Sequence, residues 1–202
     1  LETYQQLAQQ LTAARQTTAQ QLSDKVNQQL QALSMRGCRF EVTLREWEQT
    51  VHPFGAEEIE FTIATHPGQT PGPLGKIASG GELSRISLAI QVIVAQTSSV
   101  ATMVFDEVDV GIGGAVAEVV GNLLRQLSAN TQVLCVTHLA QVAVKGHQHV
   151  VVSKQHHADS TTTQLQQLDD EEKIVEIARM IGGISVSEQT VAHAKAMLNV
   201  QH

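Results

Sequence analysis

No stretch of this 202-residue chain reads Gly-x-x-x-x-Gly-Lys-Ser/Thr, the loop that wraps nucleotide phosphates in backbone N–H groups. Gly75-Lys76 comes nearest, but Ile77 follows it and the preceding Gly72 is too close, so Lys76 reads as a surface residue. Cationic charge is scarce: 13 Lys and Arg stand against 20 Asp and Glu, a formal net charge of −7 with histidines neutral. That balance argues against a broad basic face for nucleic acid, so any such contact must be local or lie elsewhere. There are only two cysteines, Cys38 and Cys135, far apart in sequence. They read as reduced apolar fillers, which favours a cytoplasmic setting. No signal peptide and no apolar run long enough to span a bilayer is visible. Internal repeats are absent too, and the one compositional bias is glutamine near the start. With 42% hydrophobic residues, the chain has ordinary globular content, enough for one core and a helical projection.

Against these absences stand two segments. Ile77-Ala78-Ser79-Gly80-Gly81-Glu82-Leu83-Ser84-Arg85 is a Ser-Gly-Gly turn opening a long apolar helix. Such a start aims free N–H groups and the positive end of the helix dipole at an approaching anion. Gly80 and Gly81 permit close approach and positive φ, and the Ser79 hydroxyl adds a donor. The second segment, Thr102-Met103-Val104-Phe105-Asp106-Glu107, reads as a buried parallel strand ending in two carboxylates. Neighbours on an extended chain face opposite ways, so the two acids divide their labour. Asp106 suits magnesium, which takes one or two carboxylates plus phosphate oxygens and water, and Glu107 suits a general base. The plain alternative for this segment alone is a strand running into a solvated acidic turn; the upstream Ser-Gly-Gly-Glu argues against it.

One βα unit further on, Gln132 to Val136 reads as the next parallel strand, with Thr137-His138 at its C-terminal end, where α/β sheets bind ligands. A lone histidine there is more often structural. Beside the other two segments, His138 becomes a candidate phosphate sensor.

Around these segments, Leu1 to about Met35 carries Tyr4, Leu7, Leu11, Leu22, Val26, Leu30 and Leu33 at helical spacings, a long helix with a narrow apolar seam. Arg39 to Trp47 and Glu58 to Thr65 alternate as antiparallel strands. Glu82 to Gln96 is apolar on almost every face after its first turn and should be buried, whereas Ala115 to Leu127 is a peripheral helix. Leu139 to Val144 suggests a short helix, His149 to Ser153 a third parallel strand, and Thr161 to Leu168 an edge strand. A helix over Asp169 to Ile181 stops at Gly182-Gly183, and Ser185 with Glu188 forms a capping box for a last helix. His147, His149, His156 and His157 lack an acidic or thiolate partner at metal-ligand spacing and read as surface histidines. Ser84 and His138 lack the elbow and orienting carboxylate of a nucleophile and base.

Taken in order, the Ser-Gly-Gly-Glu helix start, the acidic strand end, the turn bearing Asp109 and the strand-end histidine resemble the C-terminal half of an ABC-type ATPase head. Within that group, Glu82 to Arg85, Asp106 to Gly114 and Val136 to Ala143 are similar to the RecN family of bacterial DNA repair proteins, relatives of the SMC proteins. Pro67-Gly68, Gly72-Pro73-Leu74 and Ile177 to Gly183 add to the likeness, which covers nearly the whole chain. The glycine-rich Gly111 to Gly114 departs from many SMC-type heads but is itself RecN-like.

The resemblance implies an α/β fold: the C-terminal lobe of an ABC-type ATPase head, a mainly parallel sheet flanked by helices, with a long N-terminal helix and a small antiparallel β element. Residues 1–35 would be the returning coiled-coil arm, or, because the seam is interrupted around Ala13 to Thr18, a helix that only packs on the head, and 36–202 would be the lobe. It implies that the signature Ser79, Gly80, Gly81 and Glu82 contacts ATP held on a partner head, that Asp106 holds Mg2+ and that Glu107 is the catalytic glutamate. Asp109 would be the D-loop residue crossing between heads, and His138 the switch histidine. Implied with these are ATP and Mg2+ as cofactors, the N-terminal phosphate-loop half of the head, a second head in a homodimer, and DNA through the intact protein. The expected work is ATP hydrolysis in double-strand break repair and recombination, in the bacterial cytoplasm at the nucleoid, with no membrane. Lacking the phosphate loop, the chain looks like a fragment and is expected to be inactive alone. The competing readings are a head fragment of another SMC-like machine or a non-catalytic dimerisation or scaffold module.

Overall fold

A computed structural model describes residues 1–48, 51–78, 80–95, 100–106, 108–157, 160–183 and 185–199. The chain divides into two compact units, Leu1–Ser99 and Val100–His202.

The first unit opens with α1 (Glu2–Ala32), followed by β1 (Arg39–Glu46), β2 (Glu57–Ala64), the two-residue β3 (Gly72–Pro73), the single turn α2 (Leu74–Ile77) and α3 (Gly80–Ala95). As expected, β1 and β2 pair antiparallel, with Phe40 opposite Ile63. Both side chains are fully buried, as are Val26, Leu30, Leu33 and Ile86. The helix α1 packs on β1 and α3. Ala19, Ser23, Val26 and Leu30 form its buried stripe at separations of three and four. Ser34, at φ +59°, makes the left-handed turn that ends it, and the Met35 N–H closes back on the Leu30 carbonyl at 2.9 Å. The free edge of β1 is covered by polar groups of this helix. Ser23 Oγ accepts from the Val42 N–H at 3.1 Å, and Asn27 binds both backbone groups of Phe40. The turn between β1 and β2 is clamped to the same helix. Arg15 pairs with buried Glu57 at 3.3 Å and donates to the Phe54 carbonyl at 2.7 Å, while the Tyr4 hydroxyl donates to the Gly55 carbonyl. Gly55 sits at φ +96°, and a Cβ there would strike Leu11 and Arg15. Beyond its first turn α3 is buried as expected at Ile86, Leu88, Ala89, Val92 and Ile93, and departs from that expectation at Val94, which is exposed.

The second unit contains β4 (Thr102–Phe105), α4 (Gly114–Leu127), β5 (Gln132–Cys135), α5 (Ala140–Ala143), β6 (Val150–His157), β7 (Ser160–Gln167), α6 (Asp170–Gly182) and α7 (Glu188–Asn199). As the sequence predicts, β4 and β5 are parallel, with Phe105 opposite Cys135. Their expected burial does not follow: Val104 and Leu134 are 67% and 52% exposed, because among the described residues the sheet has only these two strands. The parallel part of the fold is therefore smaller than expected. The predicted third parallel strand is corrected as well. β6 forms an antiparallel hairpin with β7, from Val150 opposite Gln167 to His157 opposite Ser160. Strands joined by so short a link can pair only antiparallel.

A small core of Ala140, Val144, Ile177, Ala178 and Ala194 joins α5, α6 and α7. Gly121 lets α4 approach α5, since a Cβ there would meet the Gln141 carbonyl at 3.0 Å. Asp169 and Glu172 cap α6 reciprocally, and Gly183 at φ +66° ends it. The cap of α7 is Ser187, whose Oγ accepts from the Thr190 N–H at 3.2 Å, rather than the predicted Ser185. Among the described residues, no helix is long and apolar enough to cross a membrane.

Candidate functional site

In the first unit, the signature segment starts α3. Gly80 and Gly81 lie inside its first turn, so both are helical, and Gly80 faces open space. The Ser84 hydroxyl donates to the Gly80 carbonyl at 3.1 Å. Glu82 lies in that turn. It also faces Cys38, whose thiol is pushed up by burial and then by Glu82, with Arg85 opposing. Ser79 lies outside the described residues.

In the second unit, parallel pairing carries the ends of β4 and β5 to one place, and the Val136 N–H extends the ladder to the Phe105 carbonyl at 2.9 Å. Asp106 follows β4 directly and is exposed. Glu107 lies outside the described residues. Beyond it the chain turns inward, and Asp109 is only 3% exposed. Its Oδ2 accepts from the Thr137 hydroxyl and from the His138 N–H at 2.8 Å, and His138 Nδ1 lies 3.1 Å from it. The His138 ring itself is 73% exposed. The structure thus gathers Asp106, Asp109 and His138 at the C-terminal end of a parallel pair. Thr137 carried no signal in the sequence; a hydroxyl residue beside a strand-end histidine becomes meaningful only once the buried acid is seen. Just behind, the Cys135 thiol is raised to about 11, chiefly by burial and further by Asp109 and Asp106.

Among the described residues, no group of three or more His, Cys, Asp or Glu could hold a metal ion by itself. Asp106 makes no hydrogen bond or ion pair with another described residue, so its oxygens are available to a cation. One exposed carboxylate at a strand end is the donor set suited to magnesium, which keeps water and phosphate oxygens in most of its positions. The residues present therefore fit that ion.

No family model matches the sequence. Individual relatives match strongly. DNA repair protein RecN of Vibrio cholerae is 46% identical over 197 residues, covering 98% of this chain and 36% of that protein. RecN of Haemophilus influenzae is 47% identical over 201 residues, with 100% and 36% covered. RecN of Xylella fastidiosa strain 9a5c is 50% identical over 194 residues, with 96% and 34% covered. The chain belongs to the RecN family. It spans about a third of the length of these RecN relatives and corresponds to a C-terminal piece of them.

Solved SMC head structures are similar to this RecN piece in fold. A chain from work on ATP-driven dimerization and DNA-stimulated activation of SMC ATPases superposes with a TM-score of 0.55 at 17% identity, covering 86% of this chain and 98% of that one. The Smc head domain with a coiled coil and joint from Pyrococcus yayanosii gives 0.60 at 18% identity, with 81% and 29% covered. At such identities the likeness is one of fold, and it establishes the mixed α/β head fold with its long N-terminal helix and small antiparallel sheets.

Proposed function

We propose that this RecN-family chain is the signature-bearing lobe of an SMC-like ATPase head, acting in DNA double-strand break repair and recombination in the bacterial cytoplasm. The observation that carries the reading is the placing of an exposed Asp106 and an exposed His138, whose backbone N–H is held by buried Asp109, at the ends of two parallel strands. Strand ends of this kind are where α/β folds put phosphate chemistry.

Each residue has a part. Asp106 holds Mg2+. Magnesium, when bound with ATP, neutralises charge on the phosphate oxygens. Glu107 orients the attacking water and takes its proton on a carboxylate oxygen. His138 meets the phosphate end of the nucleotide through its outward ring edge. Ser79, Gly80 and Gly81, with Glu82 in the same turn, offer N–H and hydroxyl donors to ATP held by a second head, so hydrolysis loosens the pair of heads. The phosphate loop comes from the rest of the protein, a second copy supplies the opposing head, and DNA is engaged by the intact molecule. The chain alone is inactive under this reading.

The test is ATP turnover by the chain alone and after mixing with a separately produced phosphate-loop half. Turnover should arise only on mixing, and Glu107→Gln should lower kcat by about 10²–10⁴-fold. A normal rate in the Glu107→Gln mixture would remove the base assignment.

A further inference from the structure

We propose that the turn between β1 and β2 is a polar latch on the first half of α1, and that residues 13–18 are the bend about which that half swings when the latch opens. The device belongs to the first unit alone and stands whether or not the head hydrolyses ATP.

The two halves of α1 are held by different forces. In the second, Val26 and Leu30 are fully buried, with Leu33 just beyond the helix, so this half cannot leave without opening the core. In the first, Ala8 alone of the described residues before 16 is buried, while Leu1, Leu7 and Leu11 are exposed. What fixes the first half is polar. The Tyr4 hydroxyl donates to the Gly55 carbonyl at 3.2 Å and accepts from the His52 N–H at 3.1 Å. Arg15 donates to the carbonyls of Phe54 at 2.7 Å and Glu57 at 3.3 Å, and it pairs with the Glu57 carboxylate. The Thr12 hydroxyl donates to that carboxylate too. Gly55, at φ +96°, lets the turn come this close.

Polar contacts of this kind can be exchanged for water, so opening costs only their small net worth, whereas apolar burial has no such substitute. Glu57 is covered where Thr12 and Arg15 lie on it, and departure of the helix returns its carboxylate to solvent. Thr12 also has a second acceptor in place, the Ala8 carbonyl at 2.9 Å one turn back. Its one proton serves Glu57 with the latch closed and Ala8 with it open, so both arrangements satisfy the hydroxyl.

The bend lies between the two halves. Thr17 and Thr18 donate to the carbonyls of Ala13 and Ala14 at 3.1 and 2.9 Å. Back-bonds of this type compete with the helix ladder and bend helices, and β-branched threonine is a weak helix former. The apolar seam is interrupted over these same residues, so this is the least costly place for α1 to flex.

The test uses the full-length protein with its native cysteines replaced and spin labels on Leu7→Cys and Phe54→Cys, neither of whose side chains takes part in the latch. Wild type should show chiefly one short label separation by pulsed electron resonance. Arg15→Met with Glu57→Gln cuts the ion pair without leaving a buried charge alone, and it should add a longer population. Tyr4→Phe should add a smaller one, and it decides the matter if the double variant fails to fold. In hydrogen exchange on the unlabelled proteins, amides 5–15 should exchange at least about tenfold faster in the latch-cut variant, while amides 26–32 keep their wild-type rates. Adding Thr17→Ala and Thr18→Ala stiffens the bend and should restore the short separation. Unchanged separations and exchange in the latch-cut protein overturn the latch. Loosening of all of α1 together overturns the division into halves, and a longer population that survives the threonine replacements overturns the bend.

Discussion

Asn27 binds the backbone of Phe40 on both sides, donating to its carbonyl at 2.9 Å and accepting from its N–H at 2.8 Å. A strand edge left open would have to be paired or solvated, and this amide takes the place of a neighbouring strand. The apolar seam of α1 was legible from spacing only in its second half, where Val26, Leu30 and Leu33 are buried, since Leu7 and Leu11 are exposed; the polar residues facing β1 were not legible, because period alone does not distinguish a solvated amide from a bonded one. Cys135 is the other residue whose surroundings change its chemistry. Its thiol rises from an ordinary 9.0 to about 11, mainly by burial. Because the folded chain holds this proton more tightly, its contribution to stability is fully present below 9.0 and lost as pH climbs through about 11. At about pH 8 the native thiolate fraction is about a hundredfold below that of the unfolded chain. Alkylation by iodoacetamide should be slower by at least that factor in the folded state, and equal rates in native and denatured protein would contradict the assignment.

At the scale of the element, α6 shows what capping residues do. Asp169 Oδ1 accepts from the Glu172 N–H at 2.8 Å, and Glu172 Oε2 accepts from the Asp169 N–H at 2.9 Å. Replacing Asp169 by Ala should lower stability by about 0.5–2 kcal/mol, read as a drop in urea midpoint at constant slope; no change would mean that the core with Ile177 and Ala178 holds the helix unaided. The hairpin of β6 and β7 teaches the opposite lesson. Its residues include Ser153, Lys154 and Gln155 facing Gln164, Thr163 and Thr162, too polar for a strand buried on both faces. The partner of a short strand depends on chain connectivity, which the expected third parallel strand did not weigh.

At the scale of the whole molecule, the β4–β5 pair leaves Val104, Leu134 and Val136 exposed at 67%, 52% and 61%. The chain spans 36% of its Vibrio cholerae relative, and the remaining length is available to cover this face. Apolar side chains contribute about 1.5–3 kcal/mol each on full burial. Changing Val104, Leu134 and Val136 to Ser, one at a time, should therefore weaken association with the phosphate-loop half by about tenfold or more per position, measured by titration calorimetry. The same changes should make the isolated chain less prone to self-association on a sizing column. Unaltered affinity in all three would place the docking face elsewhere.

The sequence by itself determined what local pattern can carry: the long α1, the antiparallel β1 and β2, the parallel β4 and β5, the glycine-rich start of α3, and the arrival of Asp106 and His138 at neighbouring strand ends. Periodicity and turn residues act over a few positions, so one chain suffices to read them. Only the tertiary structure decided that Asp109 faces inward to Thr137 and His138, that Ser23 and Asn27 serve the edge of β1, that β6 turns back on β7, and that Val104 remains uncovered. Each of these depends on which groups meet across many residues, and a buried carboxylate or an open strand edge takes its partner from three-dimensional proximity, which no local spacing encodes.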